Sequence, residues 1–582
     1  MSLRVLTSVG LLMSLVLASA GCKPPQCVTS ENCPTQQPVC GADGFCQFSG
    51  GELVVSLEPQ PLFHPAPGSP CPTELSVAAP GAFDDEVDEF RATVAGPGIG
   101  DGIEGSGRTG VTLSGLTAGR DRVFALFGVA DGALRWRGVS QPVTLGDEGA
   151  TTIDVVMASI GETSCARSPS GSRVFHTATS LKDGTILIVG GAGSVRDATA
   201  TCQSACLVAT ATASATIYDP KTGAFTEVGS LTGPRMFHTA AALPDGRVVI
   251  AGGTGEAFLR EIDAARFPFP IEPTRPLNTI EVYDPATKSF SAAGADPAGA
   301  RVFAAAITTL SGEVLITGGT PGPAQAGPNN MSNALSSTTV CSGGSLSCVA
   351  GPPMARARAG HMMFTIDPKG VFVWGGSVDT AGEGFQMEHL PESAASFGLL
   401  SVAGMQPTRN VFFATGTRYS DANFLAAGGL FRRADGTFSA LDDDNSNLAV
   451  RAFVFDSNSG ANGSLSLPMA MSVGRIFGGA ASLPDHASAI VVGGFDVPDD
   501  LSSLDWTATS SLQLFDDASR QMLSINVEGA ARTLREPRAG LTATGIGDGT
   551  VLIVGGYADN RANETSEVFA DIKAPPQAAA LR

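Results

Sequence analysis

Three of the six histidines occupy one recurring place: His176, His238 and His361 each follow an arginine (Arg173, Arg235, Arg358) by three residues. Imidazoles at equivalent positions around a common axis could converge on a metal ion. Four further arginines, Arg301, Arg409, Arg475 and Arg538, open comparable stretches, with Ala304, Phe412 or Phe413, Phe477 and Leu541 near the histidine place. A ligand ring would not tolerate so many losses, so each histidine is expected to hydrogen-bond within its own repeat. Carboxylates gather at Asp84, Asp85, Glu86, Asp88 and Glu89, at Asp442–Asp444 beside Asn445, and at Asp496, Asp499 and Asp500. They read as solvated faces and loops, with Ca2+ kept as the alternative; no other metal or cofactor is expected. No Gly-x-Ser-x-Gly elbow, HExxH helix or phosphate loop occurs.

The elements that would position these groups come from a repeat. A glycine pair recurs at Gly190-Gly191, Gly252-Gly253, Gly318-Gly319, Gly375-Gly376, Gly428-Gly429, Gly493-Gly494 and Gly555-Gly556. The distance from arginine to first glycine is 17 residues in five repeats, 19 in the fifth and 18 in the sixth. Two short β-rich runs meet at Asp183-Gly184, Asp245-Gly246 and Asp548-Gly549, which are hairpin signals. The near-continuous apolar runs ILIV, VVIA, VLIT, VFVW, IVV and VLIV suit strands buried on both faces. A third strand carries Tyr218 or Tyr283, then a tight turn, then a fourth strand with Phe225 or Phe290. The fourth repeat shows no clear aromatic hairpin. The last repeat stops at its third strand, so residues near Ala158 to Arg167 are expected to supply the missing edge.

The glycine pairs, the Tyr-Asp-Pro turns at 218–220 and 283–285 and the paired aromatics resemble the kelch repeat. The resemblance covers 173–570 and implies an all-β, seven-bladed kelch-type β-propeller, with Phe where the family usually has Trp. Galactose oxidase shares that architecture and holds copper with two tyrosines and two histidines, one tyrosine being crosslinked to a cysteine. Of the four tyrosines here, Tyr218 and Tyr283 take the hairpin position, and neither Tyr419 nor Tyr557 precedes a histidine. The copper site that the resemblance would bring is therefore not expected.

Around the repeat, residues 1–22 read as an export signal. Arg4 flanks an apolar run from Val9 to Leu17, and Ser19-Ala20-Gly21 precede Cys22. This resembles the lipobox of lipoproteins of Gram-negative bacteria and implies lipidation of Cys22, at the outer membrane or cell surface; periplasmic or secreted protein is the alternative. The ten other cysteines suit an oxidising compartment. Cys27, Cys33, Cys40 and Cys46 make residues 23–50 a disulfide segment of open connectivity. Cys341 and Cys348 replace the aromatic pair of the third repeat, Cys202 and Cys206 close a small loop, and by elimination Cys71 meets Cys165. Residues 51–160 read as a small β-sandwich resembling Ig-like or transthyretin-like modules. Residues 161–571 carry the repeats, and 572–582 form a tail.

A net charge of −20 disfavours nucleic acid as a partner. The expected function is a non-catalytic scaffold binding a cell-surface protein or glycan. The inserts that follow the glycine pairs (192–211, 254–277, 320–335, 377–394, 430–447, 495–510 and 557–563) would form the binding face. The alternative is a carbohydrate-active enzyme with its site in the central channel.

Overall fold

The computed structural model describes residues 39–40, 46–47 and 53–571, the last span without 66–68, 73–82, 84–86, 97–98, 100–102, 147–149, 167–170, 203–205, 261–270, 322–332, 345, 379–386, 393, 405–409, 433–437, 440–449, 486, 498–506, 528–529, 547–548 and 560. The signal segment with Cys22, as well as Cys27, Cys33, Asp442–Asp444 and Arg409, lies outside the described residues. Cys40 faces Cys46 across a two-residue antiparallel pair. The described chain is almost wholly β-structure; its helix is the single turn Thr199–Cys202. None of its helices is long and apolar enough to cross a membrane.

The N-terminal unit is one curled sheet. Its order is Glu104–Gly107, Glu89–Ala95, Gly119–Ala130, Ala133–Val139, Ala150–Ser159, Leu53–Pro61, Val111–Leu116, with Val143–Leu145 beside Gly119–Ala130. Ala150–Ser159 and Leu53–Pro61 run parallel, Ala150 opposite Val54 and Met157 opposite Pro61. The first and last strands of that order lie against each other, so the sheet is a nearly closed barrel. This corrects the expected β-sandwich. Alternation places Leu53, Val55, Leu57, Phe90, Leu126 and Trp136 in one interior, but a period of two cannot tell a facing sheet from the far wall of the same sheet. Glycines make the seam possible: a Cβ on Gly107 would lie 2.0 Å from the Gly110 carbonyl oxygen.

Seven further antiparallel sheets follow the repeat. The first contains Thr177–Ser180, Ile186–Val189, Ala215–Asp219 and Ala224–Glu227 in that order, and the next five share its sequential order. The seventh contains Thr542–Gly545, Thr550–Val554 and Ser566–Ala570, and its fourth strand is Thr163–Ala166, antiparallel to Ser566–Ala570 with Thr163 opposite Phe569. The innermost strands touch in sequence, and the seventh touches the first. The fourth sheet does have outer strands, Met387–Leu390 and Gly398–Leu400. The former lies inside the stretch read as insert 377–394, unannounced by any aromatic.

The opening arginines are the joints. The N–H of each second glycine donates to the carbonyl of the next opening residue: Gly191 to Arg235, Gly253 to Arg301, Gly319 to Arg358, Gly376 to Val411, Gly429 to Arg475, Gly494 to Arg538 and Gly556 to Arg173, a cycle that returns to its start. Gly190 and Gly191 need positive φ here (60° and 92°), and a Cβ on Gly190 would meet the Arg235 oxygen at 2.5 Å. Each arginine side chain is buried and donates to the first glycine of its own repeat, as Arg173 does to Gly190 at 3.0 Å. Arg235, Arg358 and Arg538 pair with Glu281, Glu388 and Glu567 of their own sheets, and Arg301 with Asp296.

The fifth sheet breaks the pattern. Val411, not Arg409, takes the joint position, 17 residues before Gly428, the spacing of every other repeat except the sixth. The third-strand partner is then Phe453, opposite Ala426, where the second sheet has Glu281 opposite Ile250. An apolar pair thus replaces an ion pair whole, which spares the site an unpaired buried charge. With the register corrected, Ala414 and Gly478 hold the histidine place, and Phe413 and Phe477 fall one residue before it.

Candidate functional site

Two residues after each joint, the chain turns in toward the axis. These residues are Phe175, Phe237, Phe303, Gly360, Phe413, Phe477 and Gly540. Each N–H donates to the carbonyl of its predecessor, and Phe175 donates to Gly540 at 2.8 Å, so seven backbone hydrogen bonds form a closed ring. All five phenylalanines are left-handed, with φ of 58°, 55°, 57°, 57° and 53° in chain order. That conformation costs about 1–2 kcal/mol per non-glycine residue, supported here by the ring bonds and by packing.

The phenyl rings also meet in a cycle: Phe175–Phe237 at 4.2 Å, Phe237–Phe303 at 4.9 Å, Phe303–Phe413 at 5.3 Å, Phe413–Phe477 at 4.9 Å and Phe477–Phe175 at 5.2 Å. Five rings span seven positions because two are glycine. A Cβ on Gly540 would lie 2.5 Å from Phe175, and one on Gly360 would lie 2.6 Å from Phe413. Five phenylalanines therefore stop the axis. The signal for this ring in the sequence is Arg-x-Phe in RVF, RMF, RVF and RIF, one residue before the histidine place.

The histidines come next. His176 Nε2 lies 2.8 Å from Thr542 Oγ1, His238 Nε2 2.9 Å from Thr177 Oγ1, and His361 Nε2 2.7 Å from Thr317 Oγ1. In each case the threonine belongs to the preceding sheet, so these bonds join sheets; the expected bonding within one repeat is corrected. Burial, then the neighbouring arginine charge, pushes His176 and His361 down to about 3 and His238 well below its ordinary value. All three are neutral at pH 7.

On the strand side of the phenyl ring lies an axial cavity of about 400 Å³. Its walls are the histidine positions and the first residues of the inner strands, among them Ala304, Met362, Met363 and Thr415. On the other side, insert residues Ala192, Ala209, Ala257, Leu430 and Val497 pack with the phenylalanines in one apolar cluster. There Ala192–Asp197, Cys206–Ala211, Glu256–Arg260 and Ile271–Pro273 form a four-stranded sheet shared by the first two inserts. The inserts thus roof the axis, and the cavity opens toward the face carrying the hairpin turns. The barrel packs on that face, with Gln141 against Gly184 and Arg137 against Gly549. A larger cleft of about 580 Å³ there is lined by Glu89, Arg91, Glu104, Arg137 and Asp571.

Cys71 is disulfide-bonded to Cys165 and Cys341 to Cys348. Cys206 is disulfide-bonded, and the side chain of Cys202 lies outside the description. Tyr218 packs against Phe225 and Tyr283 against Phe290, each pair tilted with ring centroids 5.0 Å apart, and Cys341 lies opposite Cys348 in the same register. Asp88 accepts from the Asp131 N–H and Glu89 pairs with Arg91. Burial raises the Asp496 carboxyl.

No protein-family model matches the chain. No curated protein matches it either. Among solved structures, a fungal alcohol oxidase of the AA5 family in complex with copper aligns over 72% of this chain and 78% of its own, at 15% identity and a TM-score of 0.48. That protein is an enzyme; the expectation that this chain is not one rested on missing motifs alone, which exclude only the chemistries those motifs carry, and it is withdrawn. At such identity the alignment makes no residue here functional. Copper does not fit the described residues. Tyr218 and Tyr283 are locked in hairpins, Tyr419 donates to Asp517, Tyr557 packs on Phe495, and the three histidines serve threonines. No three His, Cys, Asp or Glu gather to hold a metal among the described residues.

Proposed function

We propose that residues 163–570 are a seven-bladed kelch-type β-propeller, exported and lipid-anchored through Cys22, that recognises a cell-surface protein or glycan with its insert face. The supporting observation is the roof itself: the first two inserts share one sheet seated on a common apolar cluster, a rigid platform for recognition. The Cys71–Cys165 and Cys341–Cys348 disulfides suit an oxidising compartment. No cofactor belongs to this reading.

The test compares the chain from Lys23 onward with a variant whose insert 254–277 is replaced by a short glycine-serine turn, on a glycan array and on intact cells. Binding by the first and loss in the second, with circular dichroism unchanged, is the expected result. Equal binding by both would overturn the insert face. Turnover of a carbohydrate by the same preparation would establish the alternative, an enzyme with its site in the axial cavity. Mass spectrometry of the mature N-terminus checks the anchor: an acylated Cys22 is expected, and an unmodified one refutes it.

A further inference from the structure

We propose that the axial cavity is itself a binding site, separate from the insert face, for a small, uncharged molecule of about two fused aromatic rings. The argument starts from its floor. Five phenyl rings and seven backbone hydrogen bonds close the axis, so whatever enters from the hairpin face meets aromatic surface and stops there. Among the described residues, no Asp, Glu, Lys or Arg lines the cavity, and its three histidines are neutral. An ion entering would shed water and gain no partner, so charge is excluded. The volume of about 400 Å³ falls within the range of small-molecule pockets and is far below what a folded partner needs. Ala304 and Thr415 keep the wall low while Met362 and Met363 add soft, polarisable surface.

The backbone supports the same conclusion. Five non-glycine residues hold left-handed φ in a single ring, and strain of this kind clusters at active sites, ligand clamps and switch regions. A glycine at all seven positions would have avoided that strain but left the axis open. The chain instead retains strained aromatics and shapes a closed floor.

The neutral dye N-phenyl-1-naphthylamine, titrated by fluorescence into the full chain from Lys23 onward, provides the test. We expect saturable one-to-one binding with a Kd of about 10–100 μM. The sulfonated analogue 1-anilinonaphthalene-8-sulfonate should bind at least about tenfold more weakly, because its charge is unmatched. Ala304→Trp fills the wall and Thr415→Asp charges it; each should weaken the neutral dye about tenfold or more. Leu467→Ser, on an exposed apolar residue elsewhere, should change nothing. Removal of insert 254–277 abolishes recognition by the insert face but leaves dye binding intact, so the two readings fail separately. The proposal is overturned by absence of saturable dye binding, by equal binding of the sulfonate, or by indifference to both wall variants. The sulfonate comparison uses unmutated protein, so it stands even if a wall variant misfolds.

Discussion

At the scale of residues, the joints define a series that nature has already mutated. Arg235 and Glu281 are each about 1% exposed and hydrogen-bonded to each other, and Glu281 also accepts the Thr232 N–H. Arg475 meets Gln513 in the corresponding place, and Gln513 accepts the Ser472 N–H. Glutamine therefore keeps the hydrogen bonds and gives up only the charge. We predict that Glu281→Ala costs about 3–5 kcal/mol, since it strands a buried guanidinium, and that Glu281→Gln costs less than half of that. Urea unfolding of the two variants checks the order; equal losses would mean that charge alone holds the joint. Burial lowers Arg173 and Arg475 to about 10, opposed only by the more distant charges of Glu227 and Asp496 respectively, and both are still charged at pH 7.

The three histidines give a pH prediction at the same scale. Burial holds His176 and His361 at about 3 and His238 well below its ordinary value, while unfolded imidazoles titrate near 6.5. Between those limits the unfolded chain carries protons that the folded chain refuses, so stability rises with pH across the window and falls on acidification. Each ring contributes up to about 1.4 kcal/mol per pH unit, and three together about 4. Replacing His176, His238 and His361 with Asn should flatten the stability slope between pH 6 and 5 by about that amount. Parallel slopes for variant and parent would show that the rings are not buried neutral.

At the scale of elements, one register position holds three solutions to the same problem. Tyr218 with Phe225, Tyr283 with Phe290 and Cys341 with Cys348 all join the third strand to the fourth. Opening the disulfide by Cys341→Ala and Cys348→Ala should cost about 2–3 kcal/mol from loop closure. Cys341→Tyr with Cys348→Phe should recover about 0.5–1.5 kcal/mol of it, the worth of an aromatic pair. Thermal denaturation of the two double variants measures the difference, and no recovery would show that the two pairs are not interchangeable. Gly540→Ala is predicted to destabilise by more than about 1 kcal/mol, through a Cβ 2.5 Å from Phe175 at a φ of 67°.

This scale also shows what the sequence could reveal. Glycine pairs, Asp-Gly turns and apolar runs mark the repeating sheets because each has a local cause: positive φ, a tight hairpin, a strand buried on both faces. The fourth sheet's third strand, Met387–Leu390, carries Glu388 and His389 between two apolar residues and reads as insert, because the arginine that neutralises Glu388 arrives from 30 residues away. Arg409 was mistaken for a joint because a nearby arginine resembles a displaced one, whereas the true substitution, Val411 for Arg with Phe453 for Glu, makes sense only as a pair in space. The barrel was hidden for a similar reason: alternation specifies an inside but not what lies across it. The phenylalanine floor was written in the repeat, yet its meaning depends on closure around an axis, which no single repeat contains.

At the scale of the whole molecule, closure of the ring depends on a strand that precedes the repeats. Thr163–Ala166 completes the seventh sheet, and Cys165 within it is bonded to Cys71, 94 residues earlier. Beside it, Glu162 accepts from His64, Arg532 and Arg535, so the same short segment ties the barrel to the last sheet by charge as well. His64 foremost, with the two arginines, lowers the Glu162 carboxyl, so this tie persists in mildly acidic conditions. Without that strand, Ser566–Ala570 would expose a row of unpaired backbone groups, and the cycle of glycine-to-joint bonds would lose the support that brings Gly556 to Arg173. We predict that a chain starting at Gly171 does not fold as a monomer but associates through that edge. Adding back residues 53–170 restores a monomer. Cys165→Ser in the full chain should keep the ring closed, because the strand's backbone bonds remain, while lowering stability by about 2–5 kcal/mol. Size-exclusion chromatography with light scattering separates these outcomes. A monomeric, cooperatively unfolding fragment from Gly171 would mean that the seven sheets close unaided and that the barrel serves something other than the ring.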